Sequence, residues 1–406
     1  AIYGARGANG VVLITTKRGK SGRNVVNLNS YVGVQEVRNQ YDLLNGSQFA
    51  EFANEAVNNI PEPLPPLYEV PSAVDTDWQN EVFRTGVVQN HSLSFSGGDG
   101  NTNYLVSGEY YNEEGVVRGS QFERYSFRFN LDKKVSERVS FGNSLTLSRS
   151  DNDIRDILAN TLLALPNVPI YDSEGNYFLN TDPALIIGSG SRLDNPLAVA
   201  NEVTNELLTT RALGNIYGEV KILEGLTAKV LIGGDLIYNK ENGYTPQSTL
   251  AGLDLGGSAI QGTVENISWL NENTLNYQNS WNEKHSINEV VGHTFQRQNL
   301  EAYNLRRTQF PTDATSFYDI SAGAEDQNIS SRAFQFTLNS YLGRINYTLK
   351  DRYLFTFTAR ADGSSKFGEG RKYGFFPSGA LAWRVSDEPF FQNQELLSNL
   401  KLRTSY

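Results

Sequence analysis

The chain opens with the run AIYGARGANGVVLITTKRG at residues 1–19. Gly4, Gly7 and Gly10 recur at every third residue, and glycine permits positive φ and close backbone approach, so we predict a tight turn between packed elements. Residues 11–14 are apolar without alternation, which predicts a short strand buried on both faces. The glycine spacing does not match the G-x-G-x-x-G dinucleotide fingerprint, and no βαβ pattern follows. We therefore interpret the run as structural.

A second distinctive run, RADGSSKFG, occupies residues 360–368. It continues through FFPSG at 375–379 to Trp383 and the run DEPFF at 387–391. Asp362 and Gly363 are residue types typical of a turn in which the aspartate accepts backbone hydrogen bonds and the glycine takes a positive φ. We predict such a turn here, with a structural role and no contact to a ligand.

Both runs resemble signatures of the SusC/RagA family of TonB-dependent (TonB-linked) outer-membrane transporters. The first resembles the end of the family's plug domain and the second its mid-barrel signature, and they occur in the family's order. The residues that carry the resemblance, which we interpret as structural, are Arg6, Gly7, Ala8, Asn9, Gly10, Asp362, Gly363, Ser364, Ser365, Phe367, Pro377, Ser378 and Trp383.

The resemblance implies an all-β fold, a transmembrane antiparallel β-barrel with the last strand of an internal plug domain. Plugged transporters have about 22 strands, and we count about 13 here. We expect residues 1–20 to form the end of the plug and residues 21–406 a partial barrel. The signal peptide, the TonB box and nearly all of the plug are expected upstream, and further barrel strands downstream, so the chain is interpreted as a fragment.

Composition is consistent with a barrel. No stretch of 18 apolar residues exists and the mean hydropathy is −0.42, so no membrane-spanning helix is expected. A barrel strand needs an apolar residue only at every second position. The 21 phenylalanines and 21 tyrosines suit surfaces where one end of a ring is apolar and the other wet. The net charge of −10 argues against a nucleic-acid partner, since such partners require basic patches.

Period-two alternation predicts strands with one apolar and one polar face. It is clearest at 125–132, 139–148 and 274–281. Short and long links alternate between successive strands, which places all short links at one end of the sheet. That asymmetry is typical of outer-membrane barrels, with short periplasmic turns and long extracellular loops. The long links are expected at about 38–88, 151–203, 240–261 and 298–329.

Two helices are expected inside the long links. Residues 47–58 carry apolar residues at helical spacing behind Ser47 as a cap, and 156–165 forms a second short helix. Trp78 and Phe83 are expected to anchor the end of the first loop. Trp281 and Trp383 are expected near the periplasmic strand ends, in an aromatic belt.

No residue pattern predicts catalysis. The chain has three histidines, His91, His285 and His293, without a carboxylate or second histidine at ligand spacing, so no metal or other cofactor is expected. No nucleophile motif occurs. The run DSEGN at 172–176 departs from a calcium loop and is predicted to be a turn. The chain is therefore not expected to be an enzyme.

Substrate contacts are expected in the extracellular loops. Residues 151–203 carry eight acids against two arginines, which indicates either a solvated surface or recognition of hydroxyl-rich or cationic ligands, or a divalent ion. Sugar rings stack on aromatic faces, although each loop aromatic is at least as well explained by packing within its own loop. The candidates are Tyr171, Tyr177, Phe178, Tyr244, Phe317 and Tyr318.

The resemblance also implies a function, namely TonB-dependent active import across the outer membrane of a Gram-negative, Bacteroidetes-type cell. The implied partners are a SusD-like lipoprotein lid, TonB, outer-membrane lipid and an oligosaccharide or peptide ligand. Three alternatives stay open: uptake of a siderophore or cobalamin, a passive porin or adhesin barrel, and a secreted polysaccharide-degrading enzyme. The last would need a pair of catalytic groups that the sequence does not reveal.

Overall fold

A computed structural model describes residues 4–7, 10–12, 16–61, 65–181, 193–391 and 397–406. These residues form one antiparallel sheet in which each strand pairs with the next along the chain. The thirteen strands are β1 Val25–Gln35, β2 Gly86–Gly98, β3 Thr102–Glu114, β4 Gln121–Lys134, β5 Val139–Asp153, β6 Thr204–Leu223, β7 Leu226–Thr245, β8 Ser258–Trp281, β9 His285–Thr308, β10 Glu325–Leu349, β11 Tyr353–Ser364, β12 Tyr373–Arg384 and β13 Lys401–Ser405.

The number of strands and their antiparallel order confirm the predicted β class. The helices are short and lie in the links: α1 Gly46–Asn58, α2 Trp78–Val82, α3 Leu158–Leu163, α4 Pro196–Glu202 and α5 Leu250–Leu255, with 3-10 helices at Gly4–Gly7, Asp313–Ala322 and Val385–Asp387. Within the described residues, no helix combines the length and apolarity needed to cross a membrane.

The two faces of the sheet differ in polarity. Residues 16–22 run along one face, which we call the inner face, where the Lys17 carbonyl accepts a hydrogen bond from Asn130 Nδ2 at 2.9 Å. Asn130 and Asp132 on β4 share this face because side chains alternate along a strand. Phe127 therefore lies on the opposite, outer face, where it is 42% exposed and pairs with Leu147 of β5. On β4 and β5 apolar residues thus point outward and polar residues inward, which the sequence pattern alone could not decide.

The links confirm the predicted asymmetry at five positions. The links at 99–101, 135–138, 224–225, 282–284 and 350–352 all lie at one end of the sheet, the turn end. Two of them use residues other than glycine at positive φ, as a type I′ hairpin turn requires. These are Asn282 at 54° and Glu283 at 52° in one link, and Lys350 at 51° and Asp351 at 54° in the other. A sixth link at this end, 385–400, is long and departs from the pattern.

Long links occupy the other end, the loop end, but two are shorter than predicted. They span 36–85, 154–203, 246–257 and 309–324. The predicted bounds of 240–261 and 298–329 were too wide because β7 to β10 continue beyond the apolar part of the sheet. Residues such as Asn299 and Glu301 of β9 are polar on the outer face as well, so the alternation that marks a strand disappears there.

Both predicted loop helices are present, with one correction. The N-cap of α1 is Asn45, not Ser47, and it forms a capping box with Gln48, whose backbone N–H donates to Asn45 Oδ1 at 2.9 Å while the Asn45 N–H donates to Gln48 Oε1 at 3.0 Å. Ser47 instead accepts a hydrogen bond from the Ser72 backbone N–H at 3.0 Å. The α3 helix lies inside the predicted range 156–165.

The described residues of the opening run contain the predicted glycine turn but no buried strand. Gly4 has a φ of 54° and Gly10 a φ of 89°. Val11 and Val12 belong to no strand and are 48% and 88% exposed, because no described strand pairs with them. Leu13 and Ile14 lie outside the described residues, as do Ala8 and Asn9.

Candidate functional site

The two distinctive runs meet in space on the inner face. The 3-10 helix Gly4–Gly7, which includes Arg6 and Gly7, packs against β11 and β12. A Cβ atom built on Gly4 would overlap the Asp362 carboxylate and lie 2.5 Å from Arg360 Nε. Arg360 and Asp362 are each 3% exposed, and Arg360 Nε donates to Asp362 Oδ1 at 2.6 Å. A buried ion pair thus forms the surface on which the opening run rests.

The predicted turn at Asp362 and Gly363 is wrong. Strand β11 continues to Ser364, Asp362 pairs in register with Ser340 and Gly374, and Gly363 does not have a positive φ. The ladder extends further because the Ser364 N–H donates to the Lys372 carbonyl at 2.9 Å. The carboxylate therefore faces the interior and an arginine, instead of capping a turn.

The remaining residues of the second run have structural contacts. The Ser365 N–H donates to the Thr337 carbonyl at 3.0 Å, and the Thr337 N–H donates to Ser365 Oγ at 2.9 Å, which ties the link to β10. Phe367 is 55% exposed in the same link. Pro377 and Ser378 lie within β12 opposite Ala359 and Thr358 of β11.

Trp383 lies at the turn end, as predicted, and belongs to a polar cluster around Glu388. The Trp383 indole donates to Glu388 Oε1 at 3.0 Å, and the Tyr353 hydroxyl donates to the same oxygen at 2.6 Å. Arg352 Nη1 lies 2.9 Å from Glu388 Oε2. The Tyr353 hydroxyl, then the indole, hold the pKa of Glu388 below its ordinary value. This cluster fixes the start of the link 385–400 to the β10–β11 turn.

A second contact attaches the opening run to the turn end of the sheet. Arg18 Nη1 forms an ion pair with Asp132 Oδ1, and the Tyr217 hydroxyl donates to that oxygen at 2.6 Å. A Cβ atom on Gly19 would lie 2.7 Å from the Tyr104 backbone nitrogen, so the chain approaches β3 too closely for any side chain there. Two described parts of the opening run therefore contact the inner face, residues 4–7 at β11 and residues 17–18 at β4.

At the loop end, the links 36–85 and 154–203 share one small core. Trp78 is 4% exposed and packs with Leu165, Val168 and Leu197. Its indole donates to the Leu165 carbonyl at 2.9 Å. Phe83 packs against a neighbouring cluster and bridges to Val117. The predicted anchoring role of Trp78 and Phe83 is confirmed, but the sequence carried no signal that these two links pack together.

The first aromatic candidates lie on a short hairpin in the link 154–203. Tyr171 and Tyr177 form an antiparallel bridge, and their rings stack with centroids 5.2 Å apart. Tyr171 is 49% exposed, whereas Tyr177 and Phe178 are half-buried against the Trp78 core. Asp172 closes the turn by accepting the backbone N–H groups of Glu174 and Asn176, each at 2.9 Å, and the Asn176 N–H keeps the pKa of Asp172 below its ordinary value. Asp172 thus forms the predicted turn.

The other aromatic candidates divide into buried and exposed residues. Tyr244 and Phe317 are 3% and 8% exposed and pack with Phe310. Tyr244 lies at the end of β7 and not in a loop as predicted. Its hydroxyl donates to Asp313 Oδ1 at 2.7 Å and so holds the link 309–324 to that strand. Tyr318 is 83% exposed, with its ring 4.3 Å from that of Phe317. Tyr171 and Tyr318 are therefore the candidates whose rings are open to a ligand.

Histidines and acids do not form a metal centre in the described residues. No group of three or more histidine, aspartate or glutamate side chains there could hold a metal ion. His91, His285 and His293 lie on the outer face beside Ser30, Tyr347 and Asn339 respectively. Within the acidic link, Asp194 accepts the N–H groups at the start of α5, and Asp182 lies outside the described residues.

Comparisons with known proteins match the chain over its whole length. No family model matches. The TonB-dependent receptor P3 of Formosa agariphila is 33% identical over 418 residues, which covers 100% of this chain and 40% of the relative. The TonB-dependent receptor SusC of Bacteroides thetaiotaomicron is 28% identical, covering 100% of this chain and 41% of the relative. The chain thus spans about two fifths of the length of these relatives.

The fold is also found among solved structures. The RagAB peptide importer in its closed-closed state superposes with a TM-score of 0.83 at 22% identity, covering 100% of this chain and 49% of that chain. The RagAB peptide transporter superposes with a TM-score of 0.81 at 23% identity. Long strands, alternating links and the inward-facing opening run therefore occur together in a known architecture.

Proposed function

We propose that this chain, whose sequence is of the SusC/RagA type of TonB-dependent receptor along its whole length, forms one wall of a transporter that imports a nutrient across the outer membrane. The polarity of its sheet supports this most directly. Apolar side chains face outward and polar side chains face the opening run, which is the arrangement of a barrel in lipid and the reverse of a soluble sandwich with an apolar interior.

Aromatic residues on the outer face also support a location in the outer membrane. Trp281 stacks on His285 at 5.2 Å near the turn end, and Trp269 packs against Phe295 at 5.2 Å further along β8 and β9. Trp269 and Trp281 are twelve residues apart on one strand, and a strand tilted by about 45° that rises about 3.3 Å per residue covers about 28 Å in that interval. The apolar band of outer-membrane barrels is about 25 Å tall, so the two aromatic pairs are spaced as its two girdles.

In this proposal residues 1–20 end a plug domain and residues 21–406 form part of the barrel around it. The buried Arg360–Asp362 pair and the Arg18–Asp132 pair would hold the end of the plug against the wall. TonB would act on parts of the protein that precede this segment. The loop end, with exposed Tyr171 and Tyr318, would meet the ligand and a SusD-like lipoprotein.

The ligand class is an oligosaccharide or a peptide in this proposal. RagAB is described as a peptide importer, and its fold matches. Exposed aromatic rings on a fixed hairpin suit either class, since both sugars and apolar side chains pack on ring faces. Iron or cobalamin uptake and a passive pore are the outcomes to be distinguished by experiment.

Deleting the gene for the full-length protein tests the proposal. The deletion strain should lose uptake of one labelled class among oligosaccharides and peptides, and a full-length copy should restore it. A copy lacking its TonB-interacting segment should reach the outer membrane without restoring uptake. Recovery of the protein in the soluble fraction, or unchanged uptake of every oligosaccharide and peptide, would contradict the proposal. A growth defect confined to low iron or low cobalamin would establish the alternative ligand.

A further inference from the structure

An open groove of about 480 Å³ lies between the links 36–85 and 154–203. That volume is within the range of about 300–1,000 Å³ typical of ligand sites. Trp78 and Leu165 form its closed floor, each 5% exposed or less. Tyr41, Leu43 and Leu44 line one side and are 46–67% exposed. Exposed apolar groups beside an apolar floor favour an occupant with apolar groups of its own.

The groove is held in shape by hydrogen bonds. The Gln79 side chain, 5% exposed, accepts from the Tyr41 N–H at 2.9 Å and donates to the Tyr41 carbonyl at 2.7 Å. Across the groove, the Thr76 N–H donates to the Pro166 carbonyl at 2.7 Å. Both sides are therefore fixed before any ligand arrives, which lowers the entropic cost of binding.

Charge around the groove has one sign. Asp42, Asp75 and Asp77 line it, and no lysine or arginine does. Asp75 accepts the Gly46 N–H and Asp77 accepts the Asn80 N–H, but within the described parts of the chain none of these three carboxylates forms an ion pair. A neutral carbohydrate has no charge to complement these carboxylates, whereas a cationic group would complement them.

The links that form the groove also concentrate the negative charge of the chain. Residues 36–85 and 154–203 contain fifteen acidic and four basic residues, and no lysine. The other 306 residues contain 30 acidic and 31 basic residues. The net charge of −10 thus originates entirely in these two links, which would steer a cationic ligand toward this part of the loop end.

We propose that this groove binds a short peptide that combines apolar side chains with lysine, arginine or a free amino terminus. Apolar side chains would pack on Leu43, Leu44 and the Trp78 floor, and the cation would lie near Asp42. The inference rests on the proposed import function for its ligand class, and it selects a cationic peptide over an oligosaccharide.

Binding to the purified full-length receptor in detergent tests this directly. The probes are synthetic hexapeptides of alternating Leu and Lys, Leu and Gln, or Leu and Glu, together with maltohexaose, measured by calorimetry at 50 and 300 mM salt. The Leu–Lys peptide should bind at least about tenfold more tightly than the Leu–Glu peptide at low salt, and the difference should shrink at high salt because exposed charges are screened.

Variants locate the site. Asp42→Asn should weaken binding of the Leu–Lys peptide by about threefold, the scale of one exposed ion pair, and leave the affinity for the Leu–Gln peptide unchanged. Leu44→Ser should weaken binding of both peptides. Glu51→Gln is the matched control, because Glu51 is an exposed acid of α1 that does not line the groove, and it should change neither.

Three results would overturn the inference: no measurable binding of the Leu–Lys peptide, equal binding of the Leu–Glu peptide or maltohexaose, or equal effects of Asp42→Asn and Glu51→Gln. The proposals of peptide binding and of import can be refuted independently. Binding without an uptake defect in the deletion strain would overturn import and keep the groove. An uptake defect without peptide binding would overturn the groove alone.

Discussion

Gly4 lies directly against Asp362, so that a side chain at position 4 would occupy the space of the Asp362 carboxylate. The two residues are more than three hundred positions apart in the chain. Gly4 also has a φ of 54°, a conformation that residues with a Cβ atom adopt at a cost. Close approach and backbone conformation therefore both require glycine where the opening run meets the sheet.

Gly4→Ala should release the opening run from β11. The substitution adds a steric overlap to a backbone strain of about 1–2 kcal/mol, so amide exchange in residues 4–12 of the full-length protein should accelerate. Gly10→Ala is the comparison, because Gly10 also has a positive φ of 89° but nothing lies within 4 Å of its added Cβ. Gly4→Ala should have the larger effect. Equal acceleration in both variants would show that close packing against Asp362 contributes nothing.

Asp362→Asn should destabilise the wall itself. Arg360 is 3% exposed, and removing one partner of a buried pair costs about 3–5 kcal/mol since the other charge is left in the interior. Thermal unfolding of the purified full-length protein should show a lower midpoint. The paired change Arg360→Met with Asp362→Leu should recover most of the lost stability, because apolar replacements of a buried pair are often neutral. A single variant as stable as the parent would contradict this account.

The Arg18–Asp132 contact should be weaker. Their side chains are 37% and 25% exposed, so water screens the pair and a coupling of about 1 kcal/mol or less is expected. A double-mutant cycle with Arg18→Gln and Asp132→Asn, read from amide exchange of residues 16–22, measures it. Tyr217→Phe, which removes the hydroxyl that donates to Asp132, provides a third arm. Strictly additive effects would show that the two side chains do not interact.

Glu388 should make the turn end sensitive to acid. Its folded pKa lies below the ordinary value of 4.5, first because of the Tyr353 hydroxyl and then the Trp383 indole. A depressed carboxyl pKa contributes stability above the ordinary pKa and loses it as the pH falls through the folded value. Glu388→Gln should therefore lower the melting midpoint at pH 7, and the difference from the parent should shrink as the pH falls below 4.5 and be lost once the pH has passed the folded pKa. A difference that persists unchanged at low pH would exclude this charge as the cause.

The β architecture could be predicted from the sequence because a strand with one apolar and one polar face has a period-two pattern and a tight hairpin has recognisable turn residues. Segments that have neither the period-two pattern nor such turn residues were not predicted correctly. Beyond the apolar part of the sheet, Asn299 and Glu301 need not alternate with apolar neighbours, so the loop-end parts of β9 were missed. The sequence predicts a turn at Asp362 because aspartate is common in turns, whereas the structure shows that Asp362 pairs with the inward-facing Arg360.

The loop aromatics show the same limit at the candidate site. Tyr244 and Tyr318 were equivalent in the sequence, yet one is 3% and the other 83% exposed. The difference arises because Tyr244 lies at the end of β7, where its ring and hydroxyl contact Phe310 and Asp313 of the link 309–324. Contacts between residues distant in sequence have no local pattern, and the same holds for Gln79 and Tyr41, which lie 38 positions apart within the link 36–85. Exposure, and with it the choice of ligand-facing residues, required the structure.

Exposed and buried loop aromatics should respond differently to substitution. Tyr171→Ala and Tyr318→Ala remove open ring faces, so under the proposed import function they should raise the KM of uptake by the full-length protein while its outer-membrane level stays the same. Tyr244→Phe removes only the hydroxyl that donates to Asp313, and the loss of one hydrogen bond, worth about 1 kcal/mol, should increase proteolytic cleavage in 309–324 with KM unchanged. Uptake kinetics and limited proteolysis of the same three variants distinguish the roles. If Tyr244→Phe raises KM as much as Tyr171→Ala without added cleavage, the division into ligand-facing and packing residues is wrong.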